Sequence, residues 1–314
     1  FQSTTSKHTL KNGVLQFATV EDFREAVSKV QEYTDAELAR WEKEVGFLSM
    51  WRNYYAEYAE FEKLESETEA PAFISGKEKY LKYRDGELQP LFESRSFGYL
   101  LDKNGRYRIG NSLYCLTGSH QIIIVDGSQE KLDKALQTMK ADEENGIYIS
   151  NIYGDNQQVE SRNPTNCISF SCPGVANVFC EDKDSDNDKR LRSWIDAFTI
   201  CNVVQSNPTI IRCDFYTKWR MESRKKKGFN WNRTWIDVQY TGTLSSFSGN
   251  CSGFGGTIGV NETAFDVADH EITFYFGGGF FGGNCNFLFN FVSNAITDRL
   301  EDGTNDLQTE IDCN

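Results

Sequence analysis

The stretch Thr209–Leu244, TIIRCDFYTKWRMESRKKKGFNWNRTWIDVQYTGTL, alternates, and the alternation limits what it can become. Ile211, Cys213, Phe215, Thr217, Trp219 and Met221 fall on one side of a period-two pattern. Arg212, Asp214, Tyr216, Lys218, Arg220 and Glu222 fall on the other. A strand gathers such residues into one mainly apolar face and one solvated face. The pattern resumes through Ile236, Val238, Tyr240 and Leu244. Between the two arms, Arg224-Lys225-Lys226-Lys227-Gly228 is a charged tip with a glycine, so the spacing predicts a half-buried antiparallel hairpin with a basic end.

That basic end stands out against the rest of the chain. The whole carries a net charge of −13. Arg212 to Arg233 holds eight lysines and arginines against Asp214 and Glu222, a net of +6 that leaves −19 elsewhere. The acidic balance argues against nucleic acid as a partner of the whole molecule, because the phosphate backbone would repel it. Lysines at a hairpin end also keep strand edges from pairing with one another. With 39% hydrophobic and 14% aromatic residues in 314, the chain can bury a sizeable core and is not globally disordered.

Nine cysteines are present, Cys115, Cys167, Cys172, Cys180, Cys201, Cys213, Cys251, Cys285 and Cys313, and no CxxC pair among them. A zinc ribbon or thioredoxin-type motif is therefore unsupported. LYCL, FTICNVV and IIRCDF place cysteine where a strand would carry a small hydrophobe. Nine in one chain fits an exported protein with some disulfides. No stretch is long and apolar enough to span a bilayer as a helix, and a chain opening on Phe1 without a signal peptide reads as a mature or trimmed form.

In chain order, residues 1–12 are polar and read as a mobile arm. Asn12-Gly13 then turns into a short strand, Val14–Phe17. Thr19 with Asp22 opens a helix with a stripe of Val20, Phe23, Val27 and Val30. Thr34 with Glu37 opens a second, running from Leu38 to Leu64 and about 45 Å long if continuous, with Gly46 as its kink or break. Phe97–Leu101 and Tyr107–Leu116 read as strands joined through Asp102-Lys103-Asn104-Gly105. Gln121–Val125 is a buried strand, and Ser128 caps a helix carrying Leu132, Leu136 and Met139. From Ile147 onward strands and turns dominate: Cys167–Phe170, Ala176–Cys180, Leu191–Val204, the Thr209–Leu244 hairpin, Ile258–Val260, Glu271–Phe276 and Phe287–Val292, followed by a polar tail from Thr297. The expected fold is α+β. Residues 1–146 form a helical hairpin with a small mixed α/β region, and residues 147–314 an antiparallel β-sandwich.

Three places hold residue types suited to chemistry. Asp182, Asp184, Asp186 and Asp188 alternate carboxylates as a calcium loop does. An EF-hand register from Asp182 puts Asn187 at the turn glycine and Ser193 at the bidentate glutamate, so both the bend and the strongest ligand are missing, and a polar loop between strands explains the same residues. Gly249-Asn250-Cys251-Ser252-Gly253 has the small-x-nucleophile-x-small form of a nucleophile elbow, with His120 or His270 as base and Asp126 or Asp269 as orienter. Gly255-Gly256 follows instead of a helix, which favours a glycine-rich β loop with Cys251 in a disulfide. Finally, Phe229, Trp231 and Trp235 beside Lys225 and Lys226 make an aromatic and basic face suited to glycans, lipid headgroups or single strands, although cross-strand aromatic pairing, which needs no ligand, is the simpler account of them. No P-loop, HExxH or GxGxxG signature occurs.

The order of LQFATVEDFREAV, AELARWEKEVGFLSM, LLDKNGRYRIGNSLYCLTG and KKKGFNWNRTWIDVQYTG resembles a family of uncharacterised secreted lipoproteins from gut bacteria of the Bacteroides type. The resemblance covers most of the chain, and its motifs are structural. It implies export to the periplasm or cell surface, lipid anchoring through an N-terminal cysteine that this sequence lacks, and no assigned activity or cofactor. The expectation is an exported surface binding protein without catalytic activity, its partner a glycan or an envelope or host-surface component. A cysteine- or carboxylate-dependent hydrolase and a structural part of a cell-envelope assembly are the alternatives.

Overall fold

A computed structural model describes residues 8–84, 87–152, 177–184, 186, 188–206, 209–247, 255–280, 294–301 and 304–312. The chain forms two compact units, Phe1–Ile152 with Ile200–Arg212, and Tyr153–Thr199 with Cys213–Asn314. It is an α+β fold.

In the first unit, strand β1 (His8–Lys11) turns at Asn12 and Gly13, both at positive φ, into β2 (Val14–Phe17). His8–Lys11 is therefore a paired strand rather than part of a mobile arm; residues 1–7 lie outside the described ones. Helix α1 (Val20–Val30) is closed by a Thr19/Asp22 capping box and α2 (Asp35–Val45) by a Thr34/Glu37 box, each satisfying two otherwise unpaired N-terminal donors. The continuous helix to Leu64 is not formed. Gly46 caps α2 in the left-handed conformation, and Ser49 caps a separate helix, α3 (Met50–Phe61). The remaining elements are α4 (Ala70–Ile74), β3 (Leu81–Arg84), β4 (Glu87–Pro90), α5 (Arg95–Gly98), β5 (Arg106–Ile109), β6 (Ser112–Leu116), β7 (His120–Ile124), α6 (Gln129–Thr138) and β8 (Ile147–Asn151).

Two strand expectations fail here. Phe97–Leu101 begins within α5, where Ser94 accepts from Phe97 N, so its apolar run belongs to a helical turn and its continuation. Tyr107–Leu116 folds back on itself at Gly110, giving the β5–β6 hairpin instead of one strand. A turn forms at Asp102–Gly105, but it leads from the end of α5 into β5 and does not join two strands. The Asp102 carboxylate accepts from Asn104 N and Arg106 N, and a side chain at Gly105 would run into the Leu116 carbonyl oxygen.

The six-stranded sheet runs β1-β2-β5-β6-β7-β8 and is covered on both faces. On one side Leu113, Cys115, Ile122, Ile124 and Ile147 pack with Leu132 and Ala135 of α6. On the other, Phe23 of α1 stacks on Tyr107, and Tyr107 on Tyr114, at 4.5 and 4.8 Å. Gln121 points to this second side and is fully buried. Its Nε2 donates to Cys201 O at 2.9 Å and its Oε1 accepts from Cys201 N at 2.6 Å. One amide side chain thus takes the place of a neighbouring strand for residue 201, and Tyr114 OH accepts from Val203 N.

The second unit is a β-sandwich. Its five-stranded sheet holds β9 (Asn177–Lys183), β10 (Lys189–Ser206), β11 (Thr209–Lys227) and β12 (Asn230–Arg233) in the order β12-β11-β10-β9. Strand β13 (Ile236–Phe247) lies instead in a four-stranded sheet. That sheet includes β14 (Gly255–Val267), while β15 (Asp269–Phe280) returns to pair with β11; β16 (Asn294–Glu301) and β17 (Thr304–Asp312) complete the order β14-β13-β16-β17. Between the sheets, Leu191, Ile195, Phe215, Trp219 and Met221 meet Val238, Tyr240, Leu244 and Val260. Trp219 Nε1 donates to Ser193 Oγ at 3.1 Å and Thr297 Oγ1 at 3.0 Å, joining one sheet to the other through its one polar atom.

Three sequence expectations are corrected in this unit. Ile236–Leu244 is not the return arm of the Thr209 hairpin. Only Asn230–Arg233 pairs back, and the chain crosses at Thr234–Trp235 to the other sheet. Alternation shows that a segment is a strand but not which strand it joins. Nor is the charged side of β11 solvated: Asp214, Lys218, Arg220, Glu222 and Arg224 are all buried. The polar stretch from Thr297, where the sequence shows no strand, forms most of β16 and all of β17, which pair along their length and bury Thr297 and Thr309. Cys167–Phe170 and Phe287–Val292 lie outside the described residues.

Cys201 and Cys213 form a disulfide, and Cys180 is also disulfide-bonded, whereas the buried Cys115 thiol is free and burial pushes it up to about 12. Peptide mapping of the native protein should recover the Cys201–Cys213 pair, with Cys115 alkylated only after denaturation; rapid native labelling of Cys115 or separate thiols at 201 and 213 contradicts this. Replacing Gln121 by Leu should destabilise by about 2–4 kcal/mol in urea unfolding, since two buried backbone groups lose their partners.

Candidate functional site

Period two puts Arg190, Arg192, Trp194, Asp196 and Phe198 of β10 on the sheet face turned away from the sandwich core, with Asp214 through Lys226 at even positions of β11 beside them. This face is buried and charged, so its ions must pair. Arg192 meets Glu181 at 2.6 Å, Lys218 meets Asp196 at 3.0 Å, and Arg224 meets Asp269 at 2.7 Å and Glu222 at 3.4 Å. Arg224 also donates to the carbonyls of Ser223 and Ala268. Arg220 lies 4.3 Å over the Trp194 ring. Burial lifts the Asp269 carboxyl above its ordinary value, with Arg224 acting in the opposite direction.

Toward the tip the network opens to solvent. Lys226 stands opposite Trp231 in the β11–β12 ladder, and Lys225 opposite Asn232. The Trp231 ring carries the Arg190 guanidinium at 4.2 Å, with the ammonium groups of Lys183 and Lys226 each at 5.9 Å. Glu181 anchors this group, meeting Lys183 at 2.8 Å and Arg190 at 3.7 Å besides Arg192. Lys225, Lys226 and Lys227 are exposed, Gly228 turns at positive φ, and Phe229 is half-buried beside it. The structure therefore brings Lys226 and Trp231 together, with Lys225 and Phe229 adjoining. Trp235 lies apart, 57% exposed where the chain crosses between sheets, with Arg233 5.6 Å from its ring.

The acidic turn sits beside this tip, since Lys226 N donates to Asp188 O at 2.6 Å. Its carboxylates are engaged with backbone. Asp182 accepts from Lys183 N and Gln308 N, and Asp184 from Asp188 N and Lys189 N. Desolvation works against the Asp184 charge, but these donors outweigh it and hold its carboxyl low, while the hydrogen bond to Asp184 pushes Asp188 up. Asp186 is exposed in the turn. Among the described residues, no group of three or more His, Cys, Asp or Glu is placed to hold a metal ion.

Cys251 lies outside the described residues. His270 and Asp269 are consecutive in β15 and so face opposite sides of the sheet; His270 Nδ1 is 3.2 Å from Tyr240 OH, and Asp269 is taken by Arg224. His120 Nδ1 is 2.9 Å from Ser119 Oγ, and Asp126 accepts from Lys131 Nζ and Ser128 N. Neither histidine is oriented by the carboxylate that sequence reasoning set beside it. That reasoning passed over Arg190, Lys183 and Glu181, which build the floor under Trp231. The available signal was the even spacing of Arg190, Arg192 and Trp194, which repeats that of Lys218 and Arg220.

Burial raises the Glu181 carboxyl, but Arg192, Lys183 and Arg190 together outweigh it, so it sits below its ordinary value of 4.5. An acid depressed in the folded state contributes stability above its unfolded value and loses it as pH falls through the folded one. Glu181→Gln should therefore be less stable than wild type in urea at about pH 7, with the gap closing by about pH 3. A gap independent of pH would show that Glu181 is not charged in the folded protein.

No protein-family model matches the chain, and no curated protein matches it. Among solved structures, the chain is similar to a DUF4848 family protein from Bacteroides thetaiotaomicron, with 13% identity, a TM-score of 0.32, and coverage of 97% of this chain and 98% of that one.

Proposed function

We infer that this chain is an exported cell-surface binding or interaction protein without catalytic activity, lipid-anchored in its full-length form, and that the end of the β11–β12 hairpin captures an anionic glycan or envelope component. The observation that carries the reading is the Trp231 group. Arg190 is seated on the ring from below by Glu181, while Lys225, Lys226 and Lys227 stand exposed along the same end. The cations are positioned before a ligand arrives, which reduces the ordering cost of binding. Three adjacent exposed lysines concentrate positive charge where an anion can meet it. The disulfide between Cys201 and Cys213 agrees with an oxidising compartment.

The test is surface plasmon resonance on immobilised sulfated and uronic-acid polysaccharides at low and moderate salt. Wild type should bind with an affinity that falls as salt rises. Replacing Lys225, Lys226 and Lys227 together by Ala should weaken it on the order of tenfold or more, with unchanged thermal stability because all three are exposed. Equal binding by wild type and the triple variant would remove the hairpin end as the capture site.

A further inference from the structure

The outward face of the five-stranded sheet holds one pair of groups whose chemistry the other charges on it do not share. Three side-chain contacts join β10 to β11 there. The Phe198 and Tyr216 rings stack at 5.6 Å, Lys218 Nζ meets Asp196 Oδ2 at 3.0 Å, and the Arg220 guanidinium lies 4.3 Å over the Trp194 ring. Each contact is two residues back along β10 and two residues on along β11 from the one before. They are consecutive rungs on one face, and Lys218 stands opposite Asp196.

This rung is closed off from water. The side chains of Lys218 and Asp196 are 1% and 5% exposed. The buried Phe198 and Tyr216 lie on one side of it and the buried Trp194 and Arg220 on the other, with Lys218 Nζ 5.8 Å from the centre of the Phe198 ring. Arg192, Arg220 and Arg224 share the face, but a guanidinium keeps its charge in any protein setting. A lysine amine can shed its proton and become a nucleophile. Lys218 is the one buried lysine among the described residues, and the group it touches is a carboxylate.

We propose that Lys218 and Asp196 condense into an intramolecular amide, a covalent cross-link between β10 and β11 that the folded chain forms by itself. Within the pair the ammonium passes a proton to the carboxylate, which discharges two groups that are costly to keep ionised away from water. Nζ then attacks the Asp196 carboxyl carbon. A C–N bond forms, a C–O bond breaks, and the departing oxygen leaves as water with two protons that both began on the ammonium. The product is neutral, and the step uses no oxidant, reductant or cofactor. Groups held in contact react as though at roughly 10⁵–10⁸ M, which offsets the advantage that hydrolysis has in bulk water. The bond joins the two strands whose far end carries Lys225–Lys227, and it does not depend on the binding role of that end.

Mass spectrometry of the full chain, reduced and denatured, tests the proposal. The wild-type chain should be lighter than its sequence by one molecule of water. Reduction and alkylation come first, because the Cys201–Cys213 disulfide would join the same two tryptic peptides. The digest should then hold residues 193–212 linked to residues 213–220, uncut after Lys218 because its amine is acylated. Lys218→Arg keeps a cation opposite Asp196 but has no primary amine to acylate, and it should show its full sequence mass. Full mass in the wild type, or recovery of residues 213–218 as a separate peptide, overturns the proposal and leaves an ion pair. A loss of water that persists in Lys218→Arg also overturns it and points to a succinimide at Asp126-Gly127 or Asp302-Gly303. The wild-type peptide map decides the matter even if the variant fails to fold.

Discussion

Trp219 and Arg220 are neighbours in β11, and both are buried. One faces the sandwich core and the other faces away, so the strand must satisfy two unlike environments along its length. On the core side the answer is packing with one polar exception. Trp219 fills the space between sheets, meets Tyr240 edge-on at 5.0 Å, and sends its single N–H to Ser193 and Thr297. On the other side the answer is pairing. A buried guanidinium without a partner is too costly to keep, so Arg224 is fixed by Asp269, Glu222 and two carbonyls, and Arg192 by Glu181.

Pairing of this kind contributes less to net stability than to uniqueness. Desolvation of each ion offsets most of the attraction, so the network adds little beyond what an apolar face would supply. What it penalises is misalignment. A slip of one residue between β10 and β11 would exchange every inward and outward side chain, placing Arg220 in the core and Trp219 among carboxylates. Gln121 acts similarly in the first unit. Its amide matches the N–H and C=O of Cys201 and of no adjacent residue, because backbone donors and acceptors alternate in direction along a strand. Both devices set register, and both rest on buried polar groups that lose much if displaced.

The division between what was legible in the sequence and what was not follows the range of each interaction. Capping boxes at Thr19 and Thr34, the Asn12-Gly13 turn, the break at Gly46 and the Asp102 turn depend on residues within a few positions, and each formed as its local chemistry requires. Partner choice depends on residues far away. The alternation of Ile236–Leu244 describes a strand in either sheet equally well, and the burial of Lys218 and Arg220 becomes intelligible only once Asp196 and Trp194 lie beside them. The tail was misread for a nearer reason: Asp302-Gly303 is a hairpin signal in the sequence, but the flanking segments are too polar to look like strands by apolar content alone. Within the candidate site, Lys226 and Trp231 were readable as hairpin neighbours, whereas Arg190 and Glu181 come from strands whose adjacency is a tertiary fact.

The proposed binding surface lies at the last pairs of the β11–β12 ladder. Within the ladders, nearly every side chain of β10 and β11 is committed to packing or to an ion partner, leaving little that a ligand can engage without breaking an internal contact. At the hairpin end the last pairs of the ladder leave Lys225–Lys227 exposed. Near the slip in the β13–β14 register, Phe265 follows the buried Ala264 and is 69% exposed. The exposed rings and cations thus mark positions where the chain departs from the pattern that organises the rest, and a side chain freed from internal pairing is what recognition of another molecule requires.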